Sequence, residues 1–190
     1  NDIAVLTSQH ILSQVVTRLD LQTRIYTVGR VNAALHFNDE YNRFVTVKAP
    51  NSYQYWDIEI VNQKASFTQD TLSFSINKGE VFAYKDTEIT LHDSLYVQDQ
   101  TLIVERYPLN DAVAEVRFNL IATAASKQGE IINLNFVGVN KKRNEAILNT
   151  VMQVMQDDQV EDKRLISKVS LAFINDRLDG LTKSIDTLSQ

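Results

Sequence analysis

The sequence predicts an α+β fold: a mainly antiparallel sheet packed by helices, with a long projecting C-terminal helix. Three observations carry this. Apolar residues recur at helical spacing in residues 1–21. Short β-branched and aromatic runs alternating with polar breaks fill residues 24–106. From Asn140 onward the pattern is helical to the end, with Gly180 the only Gly or Pro. A period near 3.6 marks helices and a period of two marks half-buried strands.

In the first segment Ile11, Leu12, Val15, Val16 and Leu19 form an apolar stripe, and Ser8 or Thr7 caps a second helical piece after Asp2–Leu6. This is an amphipathic helix covering a sheet. The strands expected next are 24–31, 44–48, a run through Trp56, Ile58 and Ile60, a run through Leu72, Phe74 and Ile76, then 81–84, 88–91, 94–97 and 101–106. Asn77-Lys78-Gly79 is turn chemistry. Polar breaks between the runs predict an antiparallel meander with one solvated face. A short helix follows Pro108 and buries Val113 and Val116, and strands 120–125 and 130–137 come next, joined at Lys127-Gln128-Gly129.

The chain is expected to divide at residue 139 into an α/β base (1–139) and the long helix (140–190). Asn140 is its N-cap, Ile147, Val151 and Val154 one stripe, and Leu165, Val169 and Ala172 another. Gln156–Gln159 is the expected place for a bend or a shift of the buried face. At 1.5 Å per residue the helix reaches roughly 74 Å. A body made from the first 140 residues is only about 35–40 Å across. The distal stripe Ile174, Leu178, Leu181, Ile185 and Leu188 therefore needs a downstream segment or another subunit to cover it. Both ends read as cut, with any membrane anchor outside them.

Charge and motifs exclude several functions. Twenty-four acidic residues against nineteen basic ones give a net charge of -5, the wrong balance for nucleic acid, which is not expected as a partner. There is no cysteine, hence no disulfide or thiolate metal site. His10, His36 and His92 lack the spaced partners of a zinc motif, and His36 with Asp39-Glu40 reads as a solvated loop. The five glycines are too scattered for a phosphate-cradling loop, and the nucleophile elbow is missing. The carboxylate pairs Asp57/Glu59, Asp157/Asp158 and Glu161/Asp162 fall on solvated faces rather than in the apolar pocket that raises a catalytic pKa. The expectation is a non-enzymatic chain with no cofactor and no metal. Lys141-Lys142-Arg143 is the only short basic cluster. Three cations at a helix start oppose its macrodipole, which suggests either contact with anionic lipid or glycan or a tolerated surface cluster.

Four groups of residues stand out together: Asn1-Asp2-Ile3 with Leu6, Ser8, Leu12, Val15-Val16 and Leu19; Phe44-Val45-Thr46-Val47; Pro108 through Ile132-Asn133-Leu134 to Gly138-Val139-Asn140 and Ile147-Leu148-Asn149; and Phe173-Ile174-Asn175-Asp176-Arg177-Leu178. These segments resemble the extracytoplasmic domain of the chain-length-determinant (Wzz-type) family of polysaccharide co-polymerases, some members of which are fused to a bacterial tyrosine autokinase. Lys141 and Asn144 stand where the family commonly has Pro and Ala, and residues 50–106 lie outside the resemblance. The resemblance implies a module on the periplasmic face of the bacterial inner membrane, held there by flanking membrane helices. It also implies homo-oligomers that govern the chain length or export of a capsular polysaccharide or exopolysaccharide, working with the polysaccharide or its polymerase and export channel. The alternative is an extracytoplasmic ligand-binding input domain of a membrane sensor.

Overall fold

The computed structural model describes residues 2–124 and 131–188, with the side chains of Asp2, Glu40 and 179–188 not described. The chain begins with α1 (Asp2–Leu6) and α2 (Gln9–Arg18). Ser8 Oγ accepts from the Ile11 amide at 3.3 Å, satisfying one orphan donor at the start of α2. The hairpin β1 (Thr23–Val28) and β2 (Ala33–His36) follows, then α3 (Glu40–Phe44) and β3 (Val45–Lys48). Five further strands come before a 3₁₀ turn at Asp93–Val97: β4 (Gln54–Val61), β5 (Lys64–Gln69), β6 (Leu72–Asn77), β7 (Val81–Tyr84) and β8 (Thr87–Leu91). The last elements are β9 (Gln100–Arg106), α4 (Leu109–Asn119), β10 (Leu120–Ala124), β11 (Ile132–Phe136) and α5 (Lys141–Leu188).

The fold is α+β and every strand pair is antiparallel, as expected, but the strands do not form a single meander. One sheet has the order β2-β1-β9-β4-β5-β6 and a second the order β3-β8-β7, with β10-β11 a separate pair. Strand β9 returns to lie between β1 and β4, setting Val104 opposite both Ile25 and Trp56. The chain passes from the first sheet to the second through the expected Asn77-Lys78-Gly79 turn, where Gly79 takes a φ of 84° that a side chain would strain.

The first two sheets share one apolar core. Alternate residues of β4 (Trp56, Ile58, Ile60), β5 (Ala65, Phe67) and β9 (Leu102, Val104) are buried with Phe82, Ile89 and Leu91 of the second sheet. Phe67 and Phe82 stack with ring centroids 4.1 Å apart, and Trp56 meets Phe82 edge-on at 4.8 Å. The helices make a second apolar centre. Ile11, Leu12, Val15 and Val16 of α2 and Ala112, Val113 and Val116 of α4 are buried, and α2 packs on α4 rather than covering the sheet alone.

Four local expectations are corrected. Residues 94–97 form the 3₁₀ turn, because His92 Nδ1 accepts from the Ser94 amide and consecutive Leu95 and Tyr96 are both buried, which alternation along a strand does not allow. The run expected at 24–31 ends at Val28, and Ala33–His36 returns as β2, so His36 sits in a strand rather than a loop. Asp39 starts α3 through a capping box that loop-like composition concealed. β5, rich in Ser, Ala and Thr, was not expected at all. The joining residues Lys127-Gln128-Gly129 lie outside the described residues.

The chain forms two compact units, Asn1–Val151 and Met152–Gln190, so the first turns of α5 belong with the base. Asn140 caps α5 as expected, its Oδ1 accepting from the Arg143 amide at 3.0 Å while its Nδ2 donates to Leu35 O. Helix α5 is assigned continuously through Gln156–Gln159 to Leu188, and the buried stripe of Ile147, Val151 and Val154 ends just before that stretch. Among the described residues no helix is long and apolar enough to cross a membrane.

Candidate functional site

Two places stand out, one in each unit. In the second, eight apolar side chains of α5 are more than half exposed: Val160, Leu165, Ile166, Val169, Leu171, Phe173, Ile174 and Leu178. At about 100° per residue they fall on two nearly opposite sides. Val160, Leu171, Ile174 and Leu178 make one side, and Leu165, Ile166, Val169 and Phe173 the other. Of the distal stripe expected from sequence, Ile174 and Leu178 are exposed on the helix as required, while the side chains of Leu181, Ile185 and Leu188 lie outside the described residues. Val160, Ile166, Leu171 and Phe173 were missed. Projecting the whole helix on a wheel, rather than following one stripe, reveals them. Lys163, Arg164 and Lys168 border the Val160–Leu171 side, the arrangement of charges flanking an apolar seam.

The second place is a cleft of about 480 Å³ in the base. It lies among the end of α2, β1, β2, the α3–β3 segment and the first turns of α5, and Arg18, Asp20, Arg24, His36 and Arg143 are among its walls. Arg24 and Arg143 share a single carboxylate oxygen, Glu115 Oε2, at 2.6 and 3.2 Å. Burial works against the Arg24 charge, but Glu115, with Tyr26 and Tyr107, more than restores it and holds the guanidinium above its usual pKa. Arg24 also lies 4.3 Å over the Tyr107 ring. Asp20 faces Arg106 at 3.6 Å. Desolvation raises the Asp20 carboxyl above the usual range, with Arg106 and Thr23 pulling the other way. Asp20 and Asn38, both on the cleft wall, hold left-handed backbone at φ 45° and 49°.

The basic triplet is split by the fold. Arg143 is only 6% exposed and paired with Glu115, whereas Lys141 and Lys142 are exposed, Lys141 reaching Glu145 at 3.7 Å. The surface left for an anionic lipid or glycan at the start of α5 is therefore Lys141 and Lys142.

His36 bonds Asp39 at 2.7 Å and Thr27 at 2.8 Å. His92 caps the 3₁₀ turn. No group of three metal-ligating side chains exists among the described residues. On the outer face of the six-stranded sheet Tyr53 and Tyr107 both donate to Glu105, and Tyr55 donates to Asp57. Burial first, then these carboxylates, push Tyr55 and Tyr107 up to about 12.

No protein-family model matches the chain. Among curated proteins the chain is similar to a tyrosine-protein kinase ptk of Acinetobacter johnsonii, at 22% identity across 97% of this chain and 29% of that protein. The chain thus spans less than a third of the relative's length. The likeness is a coarse link to a bacterial tyrosine-protein kinase.

Proposed function

We propose that this chain is a non-catalytic scaffold module of a bacterial polysaccharide co-polymerase of the tyrosine-autokinase branch. It works on the periplasmic face of the inner membrane and assembles into homo-oligomers that set the length or export of a capsular polysaccharide or exopolysaccharide. The observation that carries the reading is the exposure of apolar side chains on two sides of α5, among them Leu171 and Ile174 on one side and Val169 and Phe173 on the other. A two-sided apolar helix suits an array in which each copy touches two neighbours, the head-to-tail contact that closes into rings. The coarse likeness to a tyrosine-protein kinase over nearly the whole chain supports the same branch, as do the segments resembling the chain-length-determinant family. Kinase chemistry, on this reading, belongs to other parts of the parent protein.

The test is the mass of the detergent-extracted full-length protein by light scattering, with each side of α5 altered separately: Leu171→Asp with Ile174→Asp, and Val169→Asp with Phe173→Asp. A buried apolar side chain contributes roughly 1.5–3 kcal/mol, so either pair is expected to weaken assembly at least a hundredfold. Unchanged oligomer mass in both variants sinks the reading.

A further inference from the structure

We propose that the outer face of the six-stranded sheet, from the tyrosine cluster at Tyr53 and Tyr107 into the adjoining mouth between the two large sheets, binds a segment of a neutral glycan. The inference deepens the scaffold reading and rests on it for the source of the glycan. The site itself lies in the base, so its binding is measured apart from assembly through α5.

Ring placement is the first ground. Strand register sets Glu105 between Tyr55 and Arg24, and two residues along it sets Ile103 between Asp57 and Tyr26. Alternation turns these side chains away from the core that Trp56, Ile58, Leu102 and Val104 fill. Tyr53 and Tyr107 extend the same face, their ring centroids 5.1 Å apart. Four of the chain's seven tyrosines therefore share one face that no core requires. Tyr53 is 51% exposed, and Tyr26, Tyr55 and Tyr107 are half-buried.

Preorganisation is the second ground. Glu105 accepts from Tyr53 at 3.3 Å on one oxygen and from Tyr107 at 3.1 Å on the other, and Asp57 accepts from Tyr55 at 2.9 Å. Arg24 lies over the Tyr107 ring. The rings are thus held in place before a ligand arrives, which lowers the ordering cost of binding.

The third ground is the chemistry of the occupant. A tyrosine ring offers a flat apolar surface to the C–H face of a sugar. Sugar hydroxyls both donate and accept. Asp57, Glu59 and Glu105 accept from them, while Ser66, Thr68 and Ser75, outward on β5 and β6, can do either. The cations on this face are Lys64, at the far end of β5, and Arg24, which Glu115 of α4 holds. The face is therefore acidic, which disfavours an anionic glycan. A basic peptide would meet the carboxylates but leave the serine and threonine hydroxyls unused. At the Tyr53 end the face adjoins a cavity of about 330 Å³ walled by Tyr53, Tyr84, Gln54, Gln69, Lys85 and Asp86. Its size is within the range of small-molecule sites, and its amides and rings suit one end of the chain of sugars.

Tyrosine-ring NMR on the full chain, titrated with cellohexaose, a hyaluronan hexasaccharide and hexalysine, tests the site. Cellohexaose is neutral, and its equatorial hydroxyls leave both ring faces apolar. It is expected to saturate and to shift the Tyr53, Tyr55 and Tyr107 signals, leaving Tyr41 unmoved. Tyr53→Ala changes an exposed residue just before β4 and is expected to weaken cellohexaose roughly tenfold. Tyr53→Phe keeps the ring and is expected to stay within about threefold. Unchanged Trp56 emission in both variants shows that the core is intact. Hyaluronan binding as tightly as cellohexaose overturns the proposal. Hexalysine shifting these rings where cellohexaose does not assigns the face to a basic peptide and also overturns it. So does the absence of saturable cellohexaose binding up to about 10 mM, or an affinity indifferent to Tyr53→Ala. Each of these failures leaves the oligomer mass untouched, and altered α5 leaves cellohexaose binding untouched, so the two readings fail separately.

Discussion

Phe82→Ala tests whether the two large sheets are held together by their shared aromatic core. Phe82 is 1% exposed, stacks on Phe67 at 4.1 Å, meets Trp56 at 4.8 Å and reaches Phe74 at 5.8 Å. Phe→Ala in a core costs about 3–5 kcal/mol, from lost transfer energy and the cavity left behind. Each aromatic pair adds about 0.5–1.5 kcal/mol beyond area. Three such contacts keep the expectation away from the lower end of that range, at about 4 kcal/mol. That is a large share of the 5–15 kcal/mol by which domains are ordinarily stable. Phe82→Leu keeps most of the volume and is expected to cost about 1–1.5 kcal/mol. Trp56, the only tryptophan, lies in this cluster and is buried, so its fluorescence during urea unfolding reports on the cluster directly. The midpoint should fall with little change in slope. A loss under about 1.5 kcal/mol for Phe82→Ala, or a red-shifted Trp56 emission in the unaltered protein, refutes the shared core.

Three further outcomes follow from the base. Tyr55 and Tyr107 have folded pKa values raised to about 12, so above pH ~10 the unfolded chain loses these protons first. The stability they contribute is present below pH ~10 and is lost as pH rises toward ~12, which urea midpoints against pH, with Tyr107→Phe flattening the curve, will show. Glu115→Ala leaves the buried Arg143 without its carboxylate; because Glu115 is partly exposed, the cost should fall below the 3–5 kcal/mol of a fully buried pair, at about 2 kcal/mol, read from the same midpoints. A Cβ at Gly138 would collide with Asn144 Oδ1 and displace the Asn144 Nδ2 bond to Gly138 O. Gly138→Ala should cost about 1 kcal/mol, and adding Asn144→Ala should cost less than the sum of the single changes, since both remove one interaction.

Legibility in the sequence followed burial. Where one face is buried and the other wet, the period shows: β4 was readable from Trp56, Ile58 and Ile60, which are buried, and α2 from a five-residue stripe of which Ile11, Leu12, Val15 and Val16 are buried while Leu19 caps the helix half-buried. Short elements fixed by hydrogen bonds were not readable. The 3₁₀ turn depends on the ring nitrogen of His92, and α3 on a capping box of Asp39 and Asn42. No hydrophobic period announces either. The cleft was invisible for a different reason. Arg24, Glu115 and Arg143 are far apart in sequence and meet only because β1, α4 and the first turn of α5 converge. Arg143 therefore read as one of three surface cations opposing a helix dipole, whereas its carboxylate partner on α4 offsets that cost.

The two apolar sides of α5 have different histories along the helix. Ile147, Val151 and Val154 are fully buried. At about 100° per residue they lie on the same side as Leu165, Val169 and Phe173. That side is therefore one seam, covered in its first turns and exposed beyond Gln156. The opposite side, with Val160, Leu171 and Ile174, has no counterpart in the first turns, where Lys142, Glu145 and Asn149 are polar. A helix serving only to extend the base needs the first seam alone. The second begins at Val160, within the other compact unit, and half-exposed Leu, Ile and Val there cost solubility unless something covers them. On the proposed scaffold reading, the two sides meet different partners: a surface continuing the first seam, and a neighbour for the side that starts at Val160. On that reading one long helix belongs to its own fold at one end and to an assembly along the rest.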